Sequence, residues 1–242
     1  MLEENNFWRV SGEEHDVPLS IKDKLPSVLA YAKHFLLSEH PYRKGIMCPF
    51  MFRAVANDSV LFTHVPTKSF RSMRDQVNEI IDYYNNFRLH KPQNTTAIFV
   101  IFEDIFPIDD LLRLHHALKV KCIHLQIMIG ATYADNNAPS LHCDQYYPLR
   151  TALPCLILRD LTVHDLVFLD PRSYSIQQRV NFLSSYIEKF RDEDRALHSD
   201  EVGKANQLLI SYKKTIFRRR IMWTFLTTVL LVLCLLWVST IR

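Results

Sequence analysis

The sequence predicts an α+β domain, with a mainly antiparallel sheet covered by helices, followed by one C-terminal transmembrane helix. Three observations lead there. Short continuous apolar runs such as Thr95–Phe102 have the length and β-rich composition of buried strands. Longer stretches between them place apolar residues three and four positions apart, the period of an amphipathic helix. The last run, Ile221–Ile241, holds 21 residues without a charge. At ~1.5 Å per residue it spans roughly the thickness of a bilayer core.

The elements follow in order. Residues 1–25 are polar and aperiodic and are expected to form an irregular arm. Pro26 opens a helix with Val28, Leu29, Ala32, Phe35 and Leu36 on one face, since proline suits the first helical turn. Two β-rich runs flank Asn57-Asp58, a pair that tolerates left-handed turn geometry, so 44–65 reads as a β-hairpin. Phe70, Met73, Val77, Ile80, Ile81 and Tyr84 predict a helix over 69–87. Thr95–Phe102 is a strand. Pro107 and Asp109-Asp110 start a helix with Leu111, Leu112, His115 and Leu118 on one face, and the two acids suit its N-terminal dipole. His124–Ala131 and Pro154–Leu158 are two further strands. Ser173–Arg195 is a helix with Val180, Leu183, Ile187 and Phe190 turned inward. The division is thus an arm at 1–25, a domain at 26–195, a charged helical linker at 196–220 and an anchor at 221–241.

Charge orients that anchor. Lys213, Lys214, Arg218, Arg219 and Arg220 precede the apolar run and only Arg242 follows it. The positive-inside rule then places the domain in the cytosol, as a single-pass, tail-anchored protein whose partner is the lipid bilayer. Trp223 and Trp237 stand near the two ends of the run, where interfacial rings belong. The opening M-L-E-E-N-N-F-W has no apolar core of a secretory signal. In the cytosol Cys48, Cys122, Cys143 and Cys155 are expected to stay reduced. Residues 213–242 carry six basic groups and no acid, so the overall +3 leaves net −3 on residues 1–212. That mild acidity argues against a nucleic-acid partner.

Several chemistries are excluded by spacing. Only four glycines are present, and they form neither a P-loop nor a dinucleotide fingerprint. The sequence contains no G-x-S-x-G, no C-x-x-C and no H-E-x-x-H. What remains is a set of single residues. His115 sits on the inward face of its helix, either as a satisfied core histidine or as an axial haem ligand, for which one buried histidine suffices. His142 belongs to a dense polar triple, His142-Cys143-Asp144, in the long loop 131–150. It is either a surface residue or a ligand. Cys48, among Ile46, Met47 and Phe50, reads as a small core hydrophobe. Arg150 and Arg159 lie among apolar neighbours. A half-buried arginine needs a carboxylate, for which Asp160 and Asp165 are near in sequence, or an anionic ligand such as a substrate or a haem propionate.

Several phrases then form a pattern. They are Cys48-Pro49-Phe50, the run L-H-H-A-L-K-V-K-C-I-H-L-Q-I-M-I-G at 114–130, P-S-L-H at 139–142, Y-P-L-R at 147–150, P-C-L-I-L-R at 154–159 and D-L-V-F-L at 165–169. In this order, over about residues 44–190, they resemble an uncharacterised domain family of bacteria and fungi. That family is distantly similar to the YqcI/YcgG family, which shares an early C-P-F and an L-H on the central helix, and some of whose members are haem-dependent N-oxygenases. The resemblance implies a small-molecule pocket with His115 or His142 on haem iron and Arg150 and Arg159 on propionates or an anionic substrate. Cys48, Tyr133 and Asp165 would line its wall. One departure stands out. After Met128-Ile129-Gly130 the family continues with an aromatic residue, a histidine and a proline, whereas this chain reads Ala131-Thr132-Tyr133.

Two expectations follow. One is a membrane-anchored, haem-dependent oxygenase-like enzyme of secondary metabolism acting on a small molecule. The other is a non-catalytic, membrane-tethered binding or adaptor module, a degenerate member of its family.

Overall fold

A computed structural model of the chain describes residues 7–9, 17–90, 95–191 and 196–240, with side chains described except at 90, 196–198 and 230–240. The chain divides into two units, Met1–Thr162 and Val163–Arg242.

The first unit is built on a five-stranded mixed sheet. Its strands are β1 (Trp8–Arg9), β2 (Val60–His64), β3 (Ala97–Ile101), β4 (Ile127–Thr132) and β5 (Cys155–Asp160), in the order β1-β2-β3-β5-β4. β2 and β3 run parallel and the other neighbours antiparallel, so the sheet is mixed. The parallel pair requires a crossover, and α4 (Phe70–His90) supplies it. All five residues of β3 are buried, as a central strand covered on both faces must be.

Alternation along the strands builds two cores. Ile98 and Val100 of β3 join Leu61, Ile127, Ile129, Leu156 and Leu158 on one face. Against them pack α4, through Met73, Val77, Ile80, Ile81 and Tyr84, and α5 (Ile108–His124), through Leu111, Leu114 and Leu118. Ala97, Phe99 and Ile101 join Val60, Phe62 and Cys155 on the opposite face. There the cover is short: α1 (Leu19–Lys22), α2 (Leu25–Ala30) with its continuation, and α3 (Pro49–Ala56). α2 does not simply end. It runs on as one π-helical turn, Tyr31–Phe35.

Three expectations are corrected. The hairpin over 44–65 is a helix followed by a single strand. Pro49 occupies the first turn of α3 behind an extended Cys48, and Asp58 takes the left-handed turn at φ 47° before β2. A short apolar run such as P-F-M-F-R-A-V-A fits helix or strand equally by composition, and proline decided it. The arm 1–25 contributes β1 and α1, while residues 1–6 and 10–16 lie outside the described residues. The transmembrane helix is overturned, and with it the tail-anchored, single-pass, cytosol-facing localisation. Residues 221–240 prolong α7 (Ala196–Thr240) without a break. Among the described residues no helix is long and apolar enough to cross a membrane. Ahead of residue 221, α7 carries Lys213, Lys214 and Arg218–Arg220.

The second unit contains a 3-10 turn (Val163–Phe168), α6 (Ile176–Phe190) and α7. Ser175 and Gln178 form a reciprocal cap on α6. Asp170 accepts hydrogen bonds from Tyr212 of α7 (2.7 Å) and Arg179 of α6 (3.0 Å), which clasps the two helices.

Candidate functional site

The loop 131–150 does not lie idle. It packs on the connection that follows the π-helical turn, residues 36–48. Tyr31 donates from its buried phenol to the carbonyl of Pro148 (2.9 Å). Burial, then Cys48, raises that phenol far above the ordinary tyrosine range. Where the two connections meet, His40 is buried and its ring lies 5.4 Å from that of His142 and 5.6 Å from that of Tyr146. Tyr42 lies 5.5 Å from Tyr146. A hydrogen bond with the Cys143 thiol is the first cause of its raised pKa.

The hydrogen bonds of His40 fix its tautomer. Its Nδ1 accepts from the backbone N–H of Tyr42 (3.0 Å). Burial, Arg43 and His142 all lower its pKa, so the ring is neutral. A neutral imidazole that accepts at Nδ1 carries its proton on Nε2. Nε2 therefore donates to Ser140 Oγ (3.3 Å). That is the reverse of a serine activated by a histidine base, in which the ring accepts from the hydroxyl.

Beside this cluster an open groove of about 580 Å³ runs between the π-helical turn and the end of the loop. Ala30, Tyr31, Phe35, Ala134 and Ala152 give it an apolar lining, in which His34 and Arg150 also stand. The guanidinium of Arg150 is held in place. Nε donates to the Asn136 carbonyl (3.0 Å), Nη2 donates to Asn137 Oδ1 (3.2 Å), and Cζ lies over the Tyr147 ring, 4.4 Å from its centroid. Arg150 is exposed, against the expectation of a half-buried side chain. A π-helical turn at the edge of a groove is a feature that recurs at functional sites.

A family model for the domain of unknown function DUF6875 matches residues 25–200. The chain belongs to this family. The DUF6875 match starts at α2 and includes every element that lines the groove and the histidine cluster. No curated protein and no solved structure matches the chain.

Within the DUF6875 domain the expected site residues scatter. His115 lies on α5, and its Nε2 stands 3.2 Å from the Ile129 carbonyl of β4. Burial, then the charge of Lys119, lowers its pKa to about 4, so the ring is a neutral donor to that carbonyl. His142 lies in the loop against the other connection, its backbone N–H bonded to Ser140 Oγ (3.2 Å). Arg159 of β5 donates to the Asp160 carbonyl (2.9 Å) and lies 5.5 Å over Phe50 of α3. Cys48 is half-buried beside the second core, with its N–H on the Leu36 carbonyl. Tyr133 bridges backbone to Leu149 and Thr151 and packs on the first core. Asp165 is buried in the second unit.

Haem is the cofactor implied by the resemblance, and the expected ligands do not fit it. His115 spends its Nε2 on a backbone carbonyl. Neither His115 nor His142 lines the groove that holds Arg150, and Arg159 lies elsewhere on Phe50. Among the described residues no three of His, Cys, Asp and Glu gather as a metal-binding group.

Sequence reasoning missed Tyr31, His34, His40, Tyr42, Ser140 and Tyr146. His40 and Ser140 are a hundred positions apart, and no periodicity links two loops at that distance. Only Tyr31 left a trace, as an aromatic next to the helix face marked by Val28 and Ala32.

Proposed function

We propose that the DUF6875 domain binds a small molecule with an apolar body and one anionic group, in the groove between the π-helical turn and the loop 131–152. The observation that carries this reading is Arg150. Its guanidinium is oriented by a carbonyl, an amide and a ring, and no carboxylate among the described residues pairs with it. An oriented arginine with an open Nη1 beside an apolar lining matches a carboxylate-bearing ligand. The ligand's body rests on Tyr31 and Phe35, whose rings stack 5.1 Å apart.

The likeness to the YqcI/YcgG family adds one ligand to consider, since haem is itself a flat apolar body with carboxylates. In this groove the imidazole available to such a ligand is His34.

The test is titration calorimetry of the whole chain with benzoate, phenylacetate and octanoate, with benzylamine as the cationic control. Binding of the acids, weakened at least about tenfold in Arg150→Ala and partly kept in Arg150→Lys, is the expected result. Equal binding of benzylamine, or acids that bind Arg150→Ala as well as the native chain, overturns the proposal. Haemin forms a separate arm. A Soret band lost in His34→Ala and kept in His115→Ala and His142→Ala assigns haem to the same groove.

A further inference from the structure

A second polar cluster lies at the carboxyl ends of β2 and β3, the parallel pair of the sheet. In α/β sheets that end of neighbouring parallel strands is where ligands collect. His64 closes β2, and Glu103 follows β3 by two residues. His64 Nε2 lies 4.0 Å from Glu103 Oε1, with the two side chains 9% and 21% exposed. That separation is too long for a hydrogen bond. His64 Nε2, Thr67 Oγ1 and Trp8 Nε1 are all buried without a partner. Trp8 pairs with Phe62 across the strands, so Trp8, Phe62 and His64 share one face. Buried polar atoms are rarely orphaned, and the two at this corner, His64 Nε2 and Thr67 Oγ1, ask for a missing partner.

One oxygen of the carboxylate is already held. The Thr67 N–H donates to Glu103 Oε2 (3.3 Å), which leaves Oε1 turned to His64. Lys24 is engaged with Asp104 (2.6 Å) and does not compete.

We infer that His64 Nε2 and Glu103 Oε1 hold a divalent first-row transition-metal ion, with the Thr67 hydroxyl and water completing its shell. Imidazole and carboxylate donors each bind such an ion at about 2.1 Å, so two donors can share it at separations up to about 4.2 Å and close to about 3.4 Å in a tetrahedron. The observed 4.0 Å lies above the tetrahedral separation, so the two side chains would close by about 0.6 Å on the ion. The imidazole donor favours zinc or cobalt over calcium, which takes oxygen ligands.

The test is titration of the metal-free whole chain with Co²⁺, read by its visible absorption, with Zn²⁺ as competitor. The expected result is one ion per chain, bound at least about tenfold more weakly in His64→Ala and in Glu103→Gln and unchanged in His142→Ala. Glu103→Gln preserves shape and guards against a folding failure in His64→Ala, and circular dichroism confirms the fold of each. Absence of stoichiometric binding by the native chain, or loss in His142→Ala with retention in Glu103→Gln, overturns the assignment. Binding of ammonium probes in place of the metals overturns it as well.

Discussion

The two faces of the sheet in the first unit differ in how they are covered. One carries two long helices whose apolar residues recur with helical period, and its core is closed from Phe7 to Leu158. The other carries short pieces, a π-helical turn and an irregular connection, and it is this face that bears the groove and the histidine cluster. Regular cover satisfies its own backbone groups, and the hollow it bears, beside Phe70, Leu112 and Arg113, lies on the outer surface of α4 and α5 rather than against the sheet. Irregular cover leaves such groups open, because every interruption of a helix frees polar groups that loops and ligands must satisfy. The difference teaches that stability and binding are assigned to opposite sides of one sheet.

The largest expected effect tests the closed face. Leu114→Ala removes a fully buried side chain from α5 and is expected to cost about 3–4 kcal/mol, the transfer loss plus the cavity. Urea unfolding measures it. Benzoate affinity, once corrected for the folded fraction, is expected to stay unchanged. A parallel loss of affinity breaks the division between faces.

The next effect is pH-dependent and also belongs to the closed face. His115 has a folded pKa of about 4, below the ~6.5 of an unfolded histidine. Between these values the unfolded chain takes up a proton and the folded chain does not. Stability is therefore intact above pH ~6.5 and falls as the pH drops toward 4, by on the order of 2–3 kcal/mol. His40 and His64 are shifted the same way, so the measurement is the difference between the native chain and His115→Gln. A His115 contribution that is flat from pH 7 to 4 shows that its ring is not held neutral against Ile129.

These two faces were unequally legible in the sequence. Met73, Val77, Ile80, Ile81 and Tyr84 announce α4 by their spacing, and all five are buried where that spacing puts them. Helical period is local and survives without knowledge of the fold. The 44–65 hairpin failed because α3 is short and apolar throughout, so period could not separate it from a strand. The anchor failed because a count of uncharged residues ignores the helix in which they sit. The site was only partly legible. Arg150 was singled out for a half-buried setting, whereas it is exposed in the lining of the groove. His115 was singled out for an inward face it does have, and its Nε2 is used by Ile129. The partners of His142 come from the connection after the π-helical turn, and contact between two irregular segments leaves no signature in either one.

On the open face the effects are smaller. Tyr31→Phe removes the donor to the Pro148 carbonyl and is expected to cost about 1–2 kcal/mol, since the carbonyl loses its buried partner. Hydrogen exchange in 131–150 is expected to rise in this variant and that of α4 to stay unchanged. Equal protection in the loop shows that other contacts hold it to the π-helical turn.

The smallest effect discriminates most. Ser140→Ala removes the acceptor for His40 Nε2 and for the His142 N–H. The His40–Ser140 contact is buried but long (3.3 Å) and the His142 N–H is only partly buried, so the expected cost is about 1 kcal/mol. The chemical consequence follows from the tautomer. With Nδ1 accepting from the Tyr42 N–H, the Nε2 proton points at Ser140, and His40 has no lone pair to offer the hydroxyl. A fluorophosphonate probe, which labels base-activated serines, is therefore expected to leave Ser140 unmodified in the native chain. Labelling at Ser140 that disappears in His40→Gln requires the opposite tautomer, and would move the open face from binding to nucleophilic catalysis.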